Sequence, residues 1–290
     1  MKARDLLEFV LLGAIWGASF PFMRIAAPEM GPLFLIEIRV LLGGLFLLAI
    51  VMTSGRISQW KEHWRWIAVI GALNSAVPFT LFAYATLTLP AGFTSVLNAT
   101  APLFGTMIGA LWFRDRLTWQ RILGLLLGFV GVVVLVSGKL SLSGSWTAIG
   151  AGLSAAIMYG FAAHMTKRYL SQVDPMVIAA GSSLSASLLL APIALGAIPS
   201  TMPSISSWIA VAVLGLLCTG IAYFIYFRLL RRIGPGQSMT VAYLIPMFGV
   251  LWGGLFLSEP ITWNLVVGGG LVLSGVYVMV RGARTASPAK

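Results

Sequence analysis

Residues 102–119 read PLFGTMIGALWFRDRLTW, and residues 246–263 read PMFGVLWGGLFLSEPITW. Pro, Phe, two Gly, Thr and Trp recur in the same places, 144 positions apart. Working outward at that offset, the alignment runs without a gap from Trp64 to Val136. It pairs Trp64 with Trp208, Gly71 with Gly215, Gly92 with Gly236, Gly124 with Gly268 and Gly131 with Gly275. Upstream the offset becomes 143 and pairs Gly17 with Gly160, Arg24 with Lys167 and Pro32 with Pro175. The chain is therefore expected to be two copies of one unit, 5–138 and 146–281.

Composition fixes the solvent of that unit. Of 290 residues, 59% are hydrophobic and 9% charged, against roughly 25% charged in a soluble domain; mean hydropathy is +0.95. A helix needs about 20 mostly apolar residues to cross a bilayer. Ten segments qualify, near 6–26, 33–53, 66–87, 91–113, 120–138, 146–166, 176–196, 207–228, 236–257 and 262–281. Strands of a membrane barrel would alternate polar and apolar residues; runs such as LLLGFVGVVVLV do not. The expected fold is an all-α integral membrane protein of ten transmembrane helices. The first segment follows Lys2 and Arg4, as a signal peptide would, but its length and its counterpart later in the chain make it a span.

Each unit carries five spans. Five is odd, so the second copy enters the membrane from the opposite side, giving two inverted repeats around a central cavity, an arrangement transporters use to expose one site to each side in turn. The alternative is that duplication only built a stable bundle. Net charge is +11, and its distribution speaks for a membrane rather than nucleic acid. With the amino terminus inside, inner segments hold Lys2, Arg4, Arg56, Lys61, Arg65, Arg114, Arg116, Arg121, Lys167, Arg168, Arg228, Arg231, Arg232, Arg281, Arg284 and Lys290. Outer segments and ends hold Arg24 and Lys139, and Arg39 lies within a span. This positive-inside pattern puts both termini in the cytoplasm. The single cysteine, Cys218, excludes an intrachain disulfide and reads as a packing residue.

Polar and broken positions mark candidate sites. Pro102 and Pro246 sit mid-span in helices four and nine, where proline removes a backbone hydrogen bond and kinks the helix; the freed carbonyls must find protein or water. A packing kink is the bland reading. Helix three carries Gly71, Asn74, Ser75 and Pro78 at helical spacing, matched in helix eight by Gly215, Cys218, Thr219 and Ala222; Asn98 lies on the face of Pro102. These groups can line a cavity or bond neighbouring helices. Trp16, Phe20, Phe79, Tyr84, Tyr159, Tyr223, Tyr243 and Trp252 could line the same cavity, while the tryptophans at span ends form an interfacial belt. Gate or coupling candidates are Glu37 and Arg39, which at i and i+2 face different ways, and His164 near the inner end of helix six. Glu37 and Arg39 could line the outer mouth or snorkel to headgroups. No carboxylate sits at a span centre, so no proton carrier is evident. Asp115 and Glu259 are equivalent and read as structural, with Thr118 and Thr262 as N-caps of helices five and ten. With two histidines and no intramembrane carboxylate pair, the chain lacks the gathered nucleophiles, bases or ligands of a membrane enzyme, and neither a catalytic residue, a metal nor a cofactor is expected.

The phrases AIWGASF at 14–20, LWFRDRLTWQRILGLLLGFVGVVVLV at 111–136 and LFLSEPITWNLVVGGGLVLSGVYVMV at 255–280 resemble the drug/metabolite transporter superfamily, its ten-helix branch with paired EamA-type domains. The resemblance covers nearly the whole chain. It implies a ten-helix basket in a bacterial-type inner membrane, a cavity shared by both repeats with helices five and ten peripheral, and export of small organic metabolites, amino acids first among them. Trp16 matches the family's first-helix tryptophan. The central glutamate by which related four-helix exporters couple to protons is absent from helix one. Multidrug, nucleobase or vitamin transport, proton-coupled, is the alternative. The expected partners are a small-molecule substrate and the lipid bilayer, without nucleic acid, and the chain is expected to act as a monomer.

Overall fold

The computed structural model describes residues 2–115, 117–137 and 145–285. Arg116, Lys139 and Lys290, which enter the charge count, and Gly138, the end of the first expected unit, lie outside the described residues. The described chain is helical, in ten membrane-length segments: α1 (Ala3–Met30), α2 (Pro32–Thr53), α3 (Ile57–Thr86), α4, α5 (Trp119–Ser137), α6 (Ser145–Tyr169), α7 (Pro175–Leu195), α8 (Ile205–Ile233), α9 (Met239–Leu257) and α10 (Trp263–Thr285). Nine of these, all but α4, are long and apolar enough to cross a membrane as continuous helices.

The exception is α4, which divides into Ala91–Asn98 and Ala101–Trp112. At the break the Thr100 hydroxyl and amide both donate to Leu97 O, at 2.6 and 3.1 Å. Pro102 then falls in the first turn of the second piece, where a missing N–H costs no intrahelical bond. The expected mid-span kink is thus a full break. In α9 the equivalent stretch, Met239–Tyr243, is a tight 3-10 turn, and Pro246 lies in the first turn of the helix from Leu244. In α3 and α8 the interruption is of the opposite kind. Ala72–Ala76 and Val213–Ile221 are wide π-helical turns at equivalent positions, and Thr219 Oγ1 donates to Leu214 O, five residues back, at 2.9 Å. Wide turns of this sort gather at functional sites.

Other boundaries follow local chemistry. Asp174 caps α7 by accepting from Met176 N at 2.8 Å, ahead of Pro175, and Ser204 caps α8. Thr118 and Thr262 accept from Arg121 N and Leu265 N as N-caps of α5 and α10. Helix α3 starts at Ile57, earlier than hydropathy alone suggests, because a polar helical stretch precedes the apolar run, joined to it by a kink at His63 (φ −112°, ψ 17°).

The packing shows how the repeats relate. The Cβ that Gly124 lacks would fall 2.6 Å from Gly275 O, and that of Gly131 2.8 Å from Gly268 O. Gly124 is equivalent to Gly268 and Gly131 to Gly275, so one contact is the other with the repeats exchanged. Because 124 meets 275 while 131 meets 268, α5 and α10 run antiparallel. Two equivalent helices of opposite sense define an inverted repeat; repeats related by an axis along the membrane normal would place them parallel. The same exchange relates the α1–α9 crossing, where a Cβ on Gly17 would fall 2.9 Å from Gly249 N, to the α6–α4 crossing, where a Cβ on Gly160 would fall 2.9 Å from Gly105 N. Small residues allow this approach where lipid offers no hydrophobic drive to association. The largest apolar cluster, including Leu12, Ile36, Val40, Leu214 and Leu229, joins α1, α2 and α8.

Candidate functional site: a cavity between the repeats

Helices of both repeats enclose a cavity of about 230 Å³. Helix α1 contributes Trp16, Ser19, Phe20 and Met23, and α2 contributes Arg39. The wide turn of α3 brings Asn74, followed by Phe79 and Phe82, and the first piece of α4 ends on Asn98. From the second repeat come Tyr159 of α6, Cys218, Thr219 and Tyr223 of α8, and Ile245 of α9. The paired π turns thus bring Asn74 and its equivalent Cys218 to the cavity, and the break in α4 ends a helix there.

Of the residues singled out by sequence, Trp16, Asn74, Phe79, Asn98, Tyr159, Thr219 and Tyr223 meet here, with Arg39. Ser75, Pro102, Tyr243 and Pro246 do not reach the wall; the prolines act through the chain breaks beside them. Trp252 instead donates to Ala14 O at 3.0 Å and ties α9 to α1. Sequence reasoning passed over Met23, Phe82 and Ile245, which carry no polar signal, and took Cys218 for packing; its equivalence to Asn74 was the available clue.

The walls are largely aromatic. Trp16 lies edge-on to Tyr223, with ring centroids 6.1 Å apart, and Phe82 bridges Phe20 and Tyr159, each 5.9 Å away. Against these walls stands one formal charge. Arg39 is 4% exposed; its Nε donates to Thr219 Oγ1 at 3.2 Å, its Nη1 to Met23 Sδ at 3.6 Å, and its guanidinium carbon lies 4.0 Å from the Phe79 ring centre. Among the described residues it forms no ion pair. It therefore neither snorkels nor lines an outer mouth. A cation–π contact is worth about 0.5–2 kcal/mol and a hydrogen bond to a charged group about 1.5–3. Burying an ion costs several kcal/mol, and here only neutral groups offset that cost.

The other charged candidates stand away from the cavity. Glu37 turns to α7, where Ser187 Oγ donates to its Oε1 at 2.5 Å. His164 stacks on Phe113, centroids 4.8 Å apart, and lies 3.7 Å from Asp115.

The equivalent acids Asp115 and Glu259 show how the ends of the molecule differ. Each follows a residue in the left-handed region, Arg114 at φ 59° and Ser258 at φ 53°. Each closes the same turn, Asp115 N donating to Gly109 O and Glu259 N to Gly253 O, six residues back in each case. Past that turn the two part. Glu259 reaches across to the other repeat. Its Oε1 accepts from Ala91 N at 2.8 Å, its Oε2 from Gly92 N at 3.2 Å, and Arg24 Nε lies 3.0 Å from Oε1. Arg24 in turn donates to Thr86 O and Leu89 O, each at 2.8 Å. This latch joins α1, the α3–α4 junction and the end of α9, and the role goes beyond the local one expected for Glu259. Its carboxylate is 9% exposed, whereas that of Asp115 is 51% exposed. Next to the latch, Ser95 is fully buried beside Gly249; its equivalent Met239 is 65% exposed. One end of the structure is closed, and its counterpart is apart.

A multi-spanning helical protein of two inverted repeats, closed at one end around a cavity, has the build of a membrane transporter. The model of the EamA-like transporter family matches residues 6–137 and 146–281, and the chain belongs to that family. Its relatives include the uncharacterized inner membrane transporter YedA of Escherichia coli K12, 31% identical over 265 residues, covering 87% of this chain and 84% of YedA. An uncharacterized transporter of Archaeoglobus fulgidus is 25% identical, covering 95% of this chain and 98% of its own length. A protein of Streptantibioticus cattleyicolor named probable terminal-alkyne amino-acid exporter is 24% identical, covering 94% of this chain and 92% of its own. A crystal structure at 21% identity shares the fold, with a TM-score of 0.65 over 96% of this chain and 99% of the other.

Proposed function

We propose that this transporter exports small organic metabolites, amino acids first among them, across the cytoplasmic membrane by alternating access. The carrying observation is the pair of equivalent acids, one latched across the repeats and buried, the other half exposed beside His164, on either side of a single cavity. Exchanging the conformations of the two units, 5–138 and 146–281, would release Glu259 and engage Asp115, so that the cavity opens to the other side. In this reading Trp16, Asn74, Phe79, Asn98, Tyr159, Thr219 and Tyr223 contact the substrate, while Ser75, Pro102, Tyr243 and Pro246 shape the helices behind them.

In this reading the positive-inside distribution has both termini in the cytoplasm, the Arg24–Glu259 latch outside and Asp115 inside, which would make this the inward-facing form. The inner-membrane relative supports a cytoplasmic-membrane location, and the exporter relative supports export. A cavity of about 230 Å³ falls below the roughly 300–1,000 Å³ of pockets for drug-sized ligands, which favours metabolites over drugs. Among described residues its wall holds a cation and no carboxylate, the wrong sign for cationic drugs. One chain supplies both halves of the site, so a monomer suffices.

The test is purified protein in liposomes, assayed for saturable flux of labelled amino acids with and without a pH gradient. Folded protein that moves no member of a broad metabolite panel refutes the proposal, and flux that rises linearly with concentration identifies a channel instead.

A further inference from the structure

Arg39 links α2 to its neighbours without meeting an opposite charge. It lies on α2 opposite the α8 π turn, and it packs against a hydroxyl, a thioether and the face of Phe79, none of which carries charge. No carboxylate among the described residues reaches it, although α1 and α8 hold several close ion pairs at their ends, such as Arg228 with Glu8 at 2.9 Å. A charged side chain within a membrane span is rare and costly and marks a substrate or ion path. This one opens on the cavity wall. Around it stand flat apolar rings and neutral amides and hydroxyls: Trp16, Phe82, Asn74, Asn98, Tyr159 and Tyr223.

We infer that Arg39 is the anchor for a carboxylate, and that the cavity takes small organic acids with an apolar or aromatic body, zwitterionic or not, while rejecting their neutral amides and the corresponding amines. A guanidinium offers a planar fork of donors that matches a carboxylate. Its Nε is engaged by Thr219 and one Nη by Met23; remaining N–H groups are available to the ligand. The ligand's charge supplies what the protein omits. An α-ammonium group finds neutral oxygen acceptors and aromatic faces here but no acid, so it is tolerated rather than required. An amine without a carboxylate meets only the field of Arg39.

This assignment deepens the transport reading, and it is tested by binding, without flux. Detergent-purified protein is melted in the presence of benzoate, 3-phenylpropionate or 4-methylpentanoate, and in the presence of the amides of the same three acids, phenylalanine, phenethylamine, sodium chloride and inorganic phosphate. The acids and phenylalanine should raise the melting temperature in a saturable way, and the amides, the amine and the two salts should not. Arg39→Gln should weaken acid binding by about 10- to 100-fold, the span expected from one charged hydrogen-bonding interaction. Arg39→Lys should recover part of it. Without ligand Arg39→Gln should melt no lower than the native protein, because a buried charge met only by neutral groups has been removed. Equal stabilisation by acids and amides, equal stabilisation by chloride or phosphate, or undiminished acid binding in Arg39→Gln overturns the proposal. Should Arg39→Gln not fold, the acid–amide comparison in the native protein decides: discrimination supports the proposal and its absence overturns it. Acid binding without flux would sink the transport reading and leave this one standing, whereas flux of neutral solutes would do the reverse.

Discussion

Removing the negative charge of Glu259 by Glu259→Gln should open the latched end, and the protein carries its own reporter. Cys218 is the only cysteine, and it lies on the cavity wall with Sγ directed to Ile15 O at 3.3 Å. While the latch is shut, a membrane-impermeant thiol reagent added on the Glu259 side cannot reach it. Glutamine keeps one oxygen able to accept from Ala91 N or Gly92 N, so the loss is the charged part of the interaction with Arg24 and the second amide. Counting that as one charge-assisted interaction gives about 1.5–3 kcal/mol, or about a 10- to 150-fold rise in the open population. When opening is fast relative to labelling, the rate of modification should rise by the same factor. Arg24→Gln should act in the same direction. Asp115→Asn should change little, since the exposed Asp115–His164 contact at 3.7 Å belongs with surface pairs worth about 0–1 kcal/mol. Labelling of folded Glu259→Gln at the native rate from that side would refute the latch, and with it the assignment of the closed end.

Three further outcomes are expected. Trp16→Ala should lower transport efficiency by roughly tenfold, by removing ring contacts with Tyr223 and Tyr226, and Asn98→Ala should also impair flux, whereas Trp263→Ala, at an exposed span end, should leave flux nearly unchanged in the same liposomes. Gly275→Val should cost about 1–3 kcal/mol or more, because its Cβ would meet Gly128 N at 2.5 Å and Gly124 O at 2.6 Å, both backbone atoms; Gly150→Val, where nothing lies within 4 Å, should melt close to the native protein. In a Cys218→Ser background, Ser54→Cys should label only from the cytoplasm and Thr201→Cys only from outside, as the charge distribution requires; the reverse pattern would turn the direction of every statement about sides.

Much of this architecture could be read from periodicity and repetition. Apolar run length locates the spans, and an odd number of spans per copy implies the inversion that the Gly124–Gly275 and Gly131–Gly268 contacts display. The wall residues that sequence could find were those whose chemistry is out of place in lipid, such as Asn74 and Asn98, or those repeated between halves, such as Trp16 and Tyr159. Phe82 and Ile245 look like any core residue, and only the fold turns them to the cavity. Arg39 was visible as an intramembrane charge, but its depth depends on the shape of neighbouring helices, which the sequence of α2 does not encode. The latch was hidden for a related reason. Glu259 sits next to a helix start and reads as a local dipole partner, while its partners Ala91 and Gly92 are 168 and 167 residues away and contribute backbone amides that no residue type announces.

The two ends cannot close with equal strength. Where Glu259 grips Ala91 N and Gly92 N, the corresponding positions available to Asp115 are Pro235 and Gly236, and proline has no N–H to give. Asp115 is also shorter than Glu259 by one methylene, and the counterpart of the forked Arg24 is Lys167, a point charge. An empty transporter with such unequal clasps rests with its Glu259 end shut and its Asp115 end open, and it needs the binding energy of its cargo to turn over.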